Sequence, residues 1–379
     1  MIIQSKNIWY QEKFQPLQVV IEGSKIKEIA PYLHYNDPYD VDQQWVLPGF
    51  IDLHCHGYHG CNVNYATLEG LKIWNETLPK EGVTSYLLTS STAPWDSLTE
   101  SYKILNDFIR SNPQASHPLG IHNEGPFISK QYKGAQNDSL ILTPSIEKIK
   151  ELMDIAPGQL KMIALAVEHD ADFEVTKFCS KHDIIVALGH SGASFDMAAE
   201  AAKHGAKNFT HTFNAMPQLH HREPGLIGAA LTFDHMYAEV IADGVHVDFA
   251  LVNVLGKMKG KDKLITVTDA VAFKGLPMGV HQLKDRTVEI DEHGSGRLLN
   301  GRLAGSSNRM DTMLRNLIHH THLDLPTCIN SVSKNPANLL NLKSKGLLEV
   351  GNDADIVITN PQIIISETYS RGIRVFKEE

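Results

Sequence analysis

The 379-residue chain has only four cysteines, Cys55, Cys61, Cys179 and Cys328, and no Cys-x-x-Cys pair. That argues against both a thiolate zinc knuckle and a disulfide framework. An apolar run of about 18 residues is also missing, so no membrane-spanning helix is expected. Positive charge is scarce: 35 Lys and Arg face 44 Asp and Glu, a net charge of -9. Without a basic field, neither nucleic acid nor an anionic membrane is expected as a partner. The opening "MIIQSKNIWYQEKF" lacks a basic region followed by an apolar stretch, so no secretory signal is read and the cytoplasm is the expected compartment.

What is abundant is histidine, 20 residues, and short β-like runs. Eight runs recur through the middle of the chain: "VLPGFIDLHCH", "TSYLLTSST", "PLGIHNEGPF", "KMIALAVEH", "DIIVALGHS", "KNFTHTFNA", "YAEVIADGVHV" and "DKLITVTDA". They alternate little between apolar and polar, and helix-like segments such as "TLEGLKIWNETLPKEG", "DSLTESYKILNDFIRSN" and "SFDMAAEAAKHG" separate them. The last two open after polar residues suited to capping. Apolar strands separated by helices imply a parallel sheet covered on its outer face. Eight such units match a (β/α)8 TIM barrel; the alternative is a doubly wound open sheet. Residues 1–47 and 345–379 are β-like too, and are expected to form one small β-sandwich domain from both ends of the chain, leaving 48–344 as the barrel. The stretch "TVEIDEHGSGRLLNGRLAGSS" reads as a hairpin excursion, followed by helices around 307–322 and 325–341.

The stretch "GFIDLHCHGYHGCN" carries the first chemical signal. Residues two apart in a strand share a face, so His54 and His56 point together and Cys55 points away. His59 lies beyond the strand in a Gly-bounded loop, where direction cannot be read. Alone, a His-x-His pair is as consistent with a structural pair as with ligands. Other strand ends add Glu124, His190, His211 and Asp269, and the C-terminal strand ends of a barrel converge on one pocket. Six imidazoles and carboxylates without thiolates suit zinc, iron, cobalt or manganese, with enough ligands for two ions if one carboxylate bridges. A divalent metal lowers the pKa of a water toward about 7, which makes hydrolysis the natural reaction class. Asp269 is placed to take the water's proton and later deliver it to a leaving group.

These segments resemble the amidohydrolase superfamily and, within it, the N-acetylglucosamine-6-phosphate deacetylases. The resemblance runs over nearly the whole chain, through "LPGFIDLHCHG", "GIHNEGPFIS", "LGHS", "VTDA" and "GNDADIVI". It is most specific in "THTFNAMPQLHHREPGLIG" and "VIADGVHVD", with "LAGSS" like a loop over the sugar. It implies hydrolysis of the acetamide of N-acetylglucosamine 6-phosphate to glucosamine 6-phosphate and acetate. It further implies that Glu124, His190 and His211 hold one metal, and that His54 and His56 hold a second with Glu124 bridging. Some relatives lack the His pair and use one ion, so one or two divalent ions per subunit, zinc or iron foremost, are expected. Ala135, Gln136, Asn214 with Ala215, Arg222, His246, and the backbone around Leu303 and Ala304 would meet the sugar phosphate. Family dimers can carry the arginine across the interface, so a homodimer is expected and Arg222 can serve the neighbour's site.

Two departures from the pattern matter. Gln136 stands where many members have histidine; an amide donates a hydrogen bond but cannot gain a proton, which favours two metals. "HGYHGCN" replaces a glycine-rich loop, so Tyr58 and His59 are expected either to crowd or to cover the second metal position, with no metal bond from His59 or Cys61. The competing readings are another amidohydrolase, such as an N-acyl amino acid deacylase or a cyclic amidine deaminase, and a non-catalytic degenerate barrel.

Overall fold

The computed structural model describes residues 1–284, 287–291, 296–299, 301, 303 and 305–378. Eight parallel strands follow one another around a barrel: Phe50–Asp52, Val83–Ser91, His117–Glu124, Leu160–Leu165, Ile185–Leu188, Ala206–Phe209, Tyr237–Val240 and Leu264–Thr266. All eight expected runs supply a strand, and the barrel, not the open sheet, is the architecture. The eighth strand meets the first just beyond its end. Asp269 N donates to His54 O at 2.9 Å and His56 N to Ala270 O at 2.6 Å. Beneath them Thr268 Oγ1 donates to Asp52 Oδ2 at 2.6 Å. This closure is what sets His54 and His56 beside Asp269.

The strands are buried along most of their length, which explains why their sequences show so little polar alternation. Helices cover the outside through apolar stripes. In helix Trp95–Arg110, Leu98, Tyr102, Leu105 and Phe108 share the buried face at helical spacing. Helix Phe195–Lys203 opens as its sequence suggested, Ser194 accepting from Met197 N. Helix Trp95–Arg110 does not. Its N-cap is Pro94, which has no side-chain oxygen to offer, and the polar residues read as caps fall inside the first turn.

Both chain ends build a second sheet of eight strands. The N-terminal strands Ile2–Tyr10, Lys13–Glu22, Lys25–Pro31, Tyr39–Asp40 and Trp45–Pro48 join Ile356–Thr359, Ile365–Ser370 and Ile373–Lys377 through the antiparallel pairing of Trp45–Pro48 with Ile356–Thr359. Its own core contains Ile3, Val19, Ile26, Val46, Ile356 and Ile358. The expected excursion after the eighth strand is a three-stranded antiparallel sheet, Gly279–Gln282, Thr287–Ile290 and Gly296–Leu298, one strand more than a hairpin. Helices follow at Met310–His320, Leu325–Val332 and Lys334–Leu339, with a break at Ser333. Among the described residues no helix is long and apolar enough to cross a membrane.

Candidate metal centre and substrate pocket

Glu124 ends the third strand and is the hub of the site. Its Oε1 lies 2.9 Å from His211 Nε2 and 3.1 Å from His190 Nε2. Oε1 is also 3.3 Å from His54 Nε2, and Oε2 is 3.3 Å from His56 Nε2. Asp269 Oδ1 approaches His56 Nε2 at 3.2 Å and His54 Nε2 at 3.5 Å. The six sequence-derived ligand candidates therefore occupy one nest. Two trios bring one ligand atom each within 4.8 Å of one another: His54, Glu124 and His211, and His54, His56 and Asp269.

Three of the six depart from ordinary backbone geometry. His190, His211 and Asp269 have φ of +48°, +24° and +48°. Left-handed backbone is costly for residues with a Cβ, and it recurs where surrounding structure holds functional groups in place. Each lies two or three residues past its strand, where the bend returns the side chain over the barrel mouth.

Electrostatics tie the cluster together. Burial opposes the charge on Glu124, but His190 and His54 outweigh it and hold its carboxyl well below the usual range. Burial likewise opposes ionisation of Asp269, and a hydrogen bond from His56 with the charge of His54 keeps it lowered. Burial also resists protonation of His54, His56 and His190, yet the facing carboxylates raise all three. Facing nitrogens sit close, His54 Nε2 to His56 Nε2 at 3.2 Å and His190 Nε2 to His211 Nε2 at 3.1 Å. Nitrogen lone pairs packed at such distances around carboxylates need a shared proton or a cation between them. The donor set, imidazole and carboxylate without thiolate, fits a divalent transition metal.

The other ring nitrogens orient these histidines, as ligand histidines require. His56 Nδ1 meets Thr89 O at 3.0 Å, His190 Nδ1 meets Tyr132 O at 2.8 Å, and His54 Nδ1 meets Glu239 Oε2 at 3.0 Å. Among the described residues His211 Nδ1 has no partner. Sequence reading missed Glu239, Thr89 and the buried His122, whose ring lies 4.7 Å from that of His54. Glu239 did leave a trace: a carboxylate within the buried run "YAEV" must find donors, because a charge cannot face the apolar helix layer unpaired.

A cavity of about 210 Å³ opens above the nest. Besides His56, Glu124, His190, His211 and Asp269, it is lined by Ala135, Gln136, Asn214, Ala215, His246 and Leu303. Gln136 does not point freely into it, since its Nε2 donates to Glu124 Oε2 at 3.1 Å and its Oε1 accepts from Thr92 N at 2.8 Å. His246 is held by Asp243 Oδ2 at 2.7 Å, and that carboxylate overcomes burial to raise the imidazole's pKa. Ala304 lies outside the described residues. Arg222 does not line the cavity: it is exposed, with Nη1 2.8 Å from His221 Nε2.

Tyr58 and His59 neither crowd nor cover the nest. The pairing of Gly57–Tyr58 with Cys61–Asn62 folds their loop aside, His59 N donates to Lys274 O at 2.7 Å, and both residues line a separate depression with Cys61. Burial pushes the Cys61 thiol up to about 11, so it stays protonated at neutral pH.

Beyond geometry, the model of the amidohydrolase family matches residues 45–376. The chain belongs to that family. Within the amidohydrolases, it is 36% identical over 364 residues to an N-acetylglucosamine-6-phosphate deacetylase of Lysinibacillus sphaericus, covering 95% of this chain and 94% of that one. The crystal structure of the Thermotoga maritima N-acetylglucosamine-6-phosphate deacetylase is similar at a TM-score of 0.90 and 31% identity, covering 100% of both chains. A mutant of the Mycobacterium smegmatis deacetylase, solved in complex with N-acetyl-D-glucosamine-6-phosphate, is similar at a TM-score of 0.92 and 26% identity, over 100% of this chain and 99% of that one.

Proposed function

We propose that this amidohydrolase deacetylates N-acetylglucosamine 6-phosphate, releasing glucosamine 6-phosphate and acetate. The observation that carries the reading is the convergence of His54, His56, His190 and His211 on Glu124 beneath one cavity, with Asp269 against the first two. The substrate is carried over from relatives that match nearly the full chain.

Glu124, His190 and His211 would hold one divalent ion and His54 and His56 a second, with Glu124 between them; zinc or iron is favoured, cobalt or manganese being compatible with the same donors. Ions bound there would acidify a water and polarise the amide carbonyl. Asp269, ionised and facing both His54 and His56, accepts the proton of the attacking water and passes it to the departing amine. Gln136 cannot deliver a proton, and its contact with Glu124 suits it to holding that hub and one edge of the cavity. His246, biased toward its charged form by Asp243, provides an anion partner on the cavity wall for the phosphate.

Arg222 would complete phosphate recognition from the neighbouring subunit of a homodimer, which accounts for its exposure in the single chain. Asn214, Ala215, Ala135, Leu303 and Ala304 would contact the sugar. Residues 1–47 with 345–379 are read as one small β domain supporting the barrel of 48–344, and the enzyme as cytoplasmic, in amino-sugar metabolism. Turnover of N-acetylglucosamine 6-phosphate measured beside the unphosphorylated sugar, with metal content determined on the same protein, tests the reading. Equal rates on the two sugars would refute the phosphate assignment.

A further inference from the structure

Glu239 is completely buried in the seventh strand, does not line the cavity, and meets no lysine or arginine among the described residues. Both of its oxygens nonetheless have partners. Oε2 accepts from His211 N at 3.2 Å and faces His54 Nδ1 at 3.0 Å, while Oε1 accepts from Asn208 Nδ2 at 2.6 Å. An oxygen already accepting from a backbone N–H is the acceptor toward His54 as well, so the imidazole hydrogen sits on Nδ1. That leaves Nε2 as the atom that exchanges a proton for a metal, and Nε2 is the atom facing Glu124, His56 and Asp269.

A buried carboxylate without a lysine or arginine needs positive charge elsewhere. Through His54 the nearest place for it is the metal nest. The same carboxylate holds the backbone of His211, so it touches ligands on both sides of Glu124. We propose that Glu239 is a positioning residue of the metal centre: it fixes the tautomer and ring plane of His54 and thereby governs loading of the ion held by His54 and His56. This rests on the metal-dependent reading above. Asn208 makes a clean substitution available, because among the described residues its Oδ1 has no partner and its amide can turn to accept from a glutamine at position 239.

The test compares wild type, Glu239→Gln and Glu239→Leu, each stripped of metal and titrated with Zn2+ against a competing chelator, and with Co2+ followed by visible absorption. Glu239→Gln keeps shape and one acceptor but loses charge; Glu239→Leu loses the acceptor as well. In Glu239→Gln one ion binds as in wild type, the other about 10- to 100-fold more weakly, with an altered cobalt spectrum and a metal-free protein that still unfolds in one cooperative transition. Glu239→Leu weakens the same ion further. Wild-type affinity for both ions in both variants, equal weakening of both ions in Glu239→Gln, or a wild-type protein that binds a single ion would each overturn the proposal. No sugar enters these measurements. A wild type that binds two ions yet leaves N-acetylglucosamine 6-phosphate intact would overturn the proposed substrate alone.

Discussion

Replacing Lys274 by methionine should destabilise the protein far more than a single surface charge would. Lys274 Nζ donates to Glu81 Oε2 at 2.7 Å, and the two side chains are only 3% and 2% exposed. The same Glu81 oxygen accepts from Met310 N at 3.1 Å, so the pair joins the approach to the second strand, the loop after the eighth, and the start of helix Met310–His320. Methionine removes the cation and leaves Glu81 a buried charge with one backbone donor. Breaking such a pair costs about 3–5 kcal/mol, roughly two to four decades in the folding equilibrium. Changing Glu81 to glutamine in the same protein should recover most of that loss, since a neutral pair needs no counter-charge. Lys274 also follows Phe273 and Ala272 on the cavity wall and fixes the His59 loop, so KM should rise with the instability. The assay is a double-mutant cycle on chemical and thermal unfolding, with KM measured for each variant. A Lys274→Met protein losing less than about 1 kcal/mol, or a double variant no better than the single, would refute the argument.

Three further outcomes are expected. Asp269→Asn should lower kcat about 100- to 10,000-fold, the range of a lost acid–base group, and near-normal turnover would remove Asp269 from the proton path. Mixed dimers of Arg222→Ala and Asp269→Asn should be more active than either parent, because one intact site reforms; no recovery on mixing would place Arg222 outside the partner's pocket. The metal-free protein should lose stability as pH rises above about 6.5, since the pKa values of His54, His56 and His190 are raised from 6.5 in the fold. Stability from a raised pKa is complete below the unfolded value and disappears through the folded one, while metal affinity should climb over the same interval as the ligands shed protons. Calorimetry with and without metal distinguishes these trends; a metal-free melting temperature that does not fall as pH rises through that window would contradict the protonated cluster.

The barrel was legible because each strand is a buried run between helical stripes, a pattern local to about a dozen residues. Strand alternation also separated His54 and His56 from Cys55, whose Sγ instead contacts Leu87 O at 3.2 Å. What eluded sequence reading depends on contacts across the closed barrel. The contact of Glu239 with His54 joins residues 185 positions apart, and no local period encodes it. The fate of Tyr58 and His59 was hidden for the same reason: the loop carrying them is folded aside by its own short pairing and by Lys274 O from beyond the eighth strand. Pro94 shows a local failure, where ample polar residues near a helix start concealed that the cap itself lay earlier.

Closure of the barrel has a temporal side. The ligands just past the first strand wait for a partner delivered by the eighth, and the contact sealing them, Asp52 to Thr268, spans 216 residues. A chain emerging from the ribosome therefore carries His54, His56 and Glu124 long before it has a nest to put them in. Those early ligands can touch metal only loosely, because binding strength arrives with the fold that assembles the site. The order of synthesis thus postpones tight metal binding until the last strand has docked.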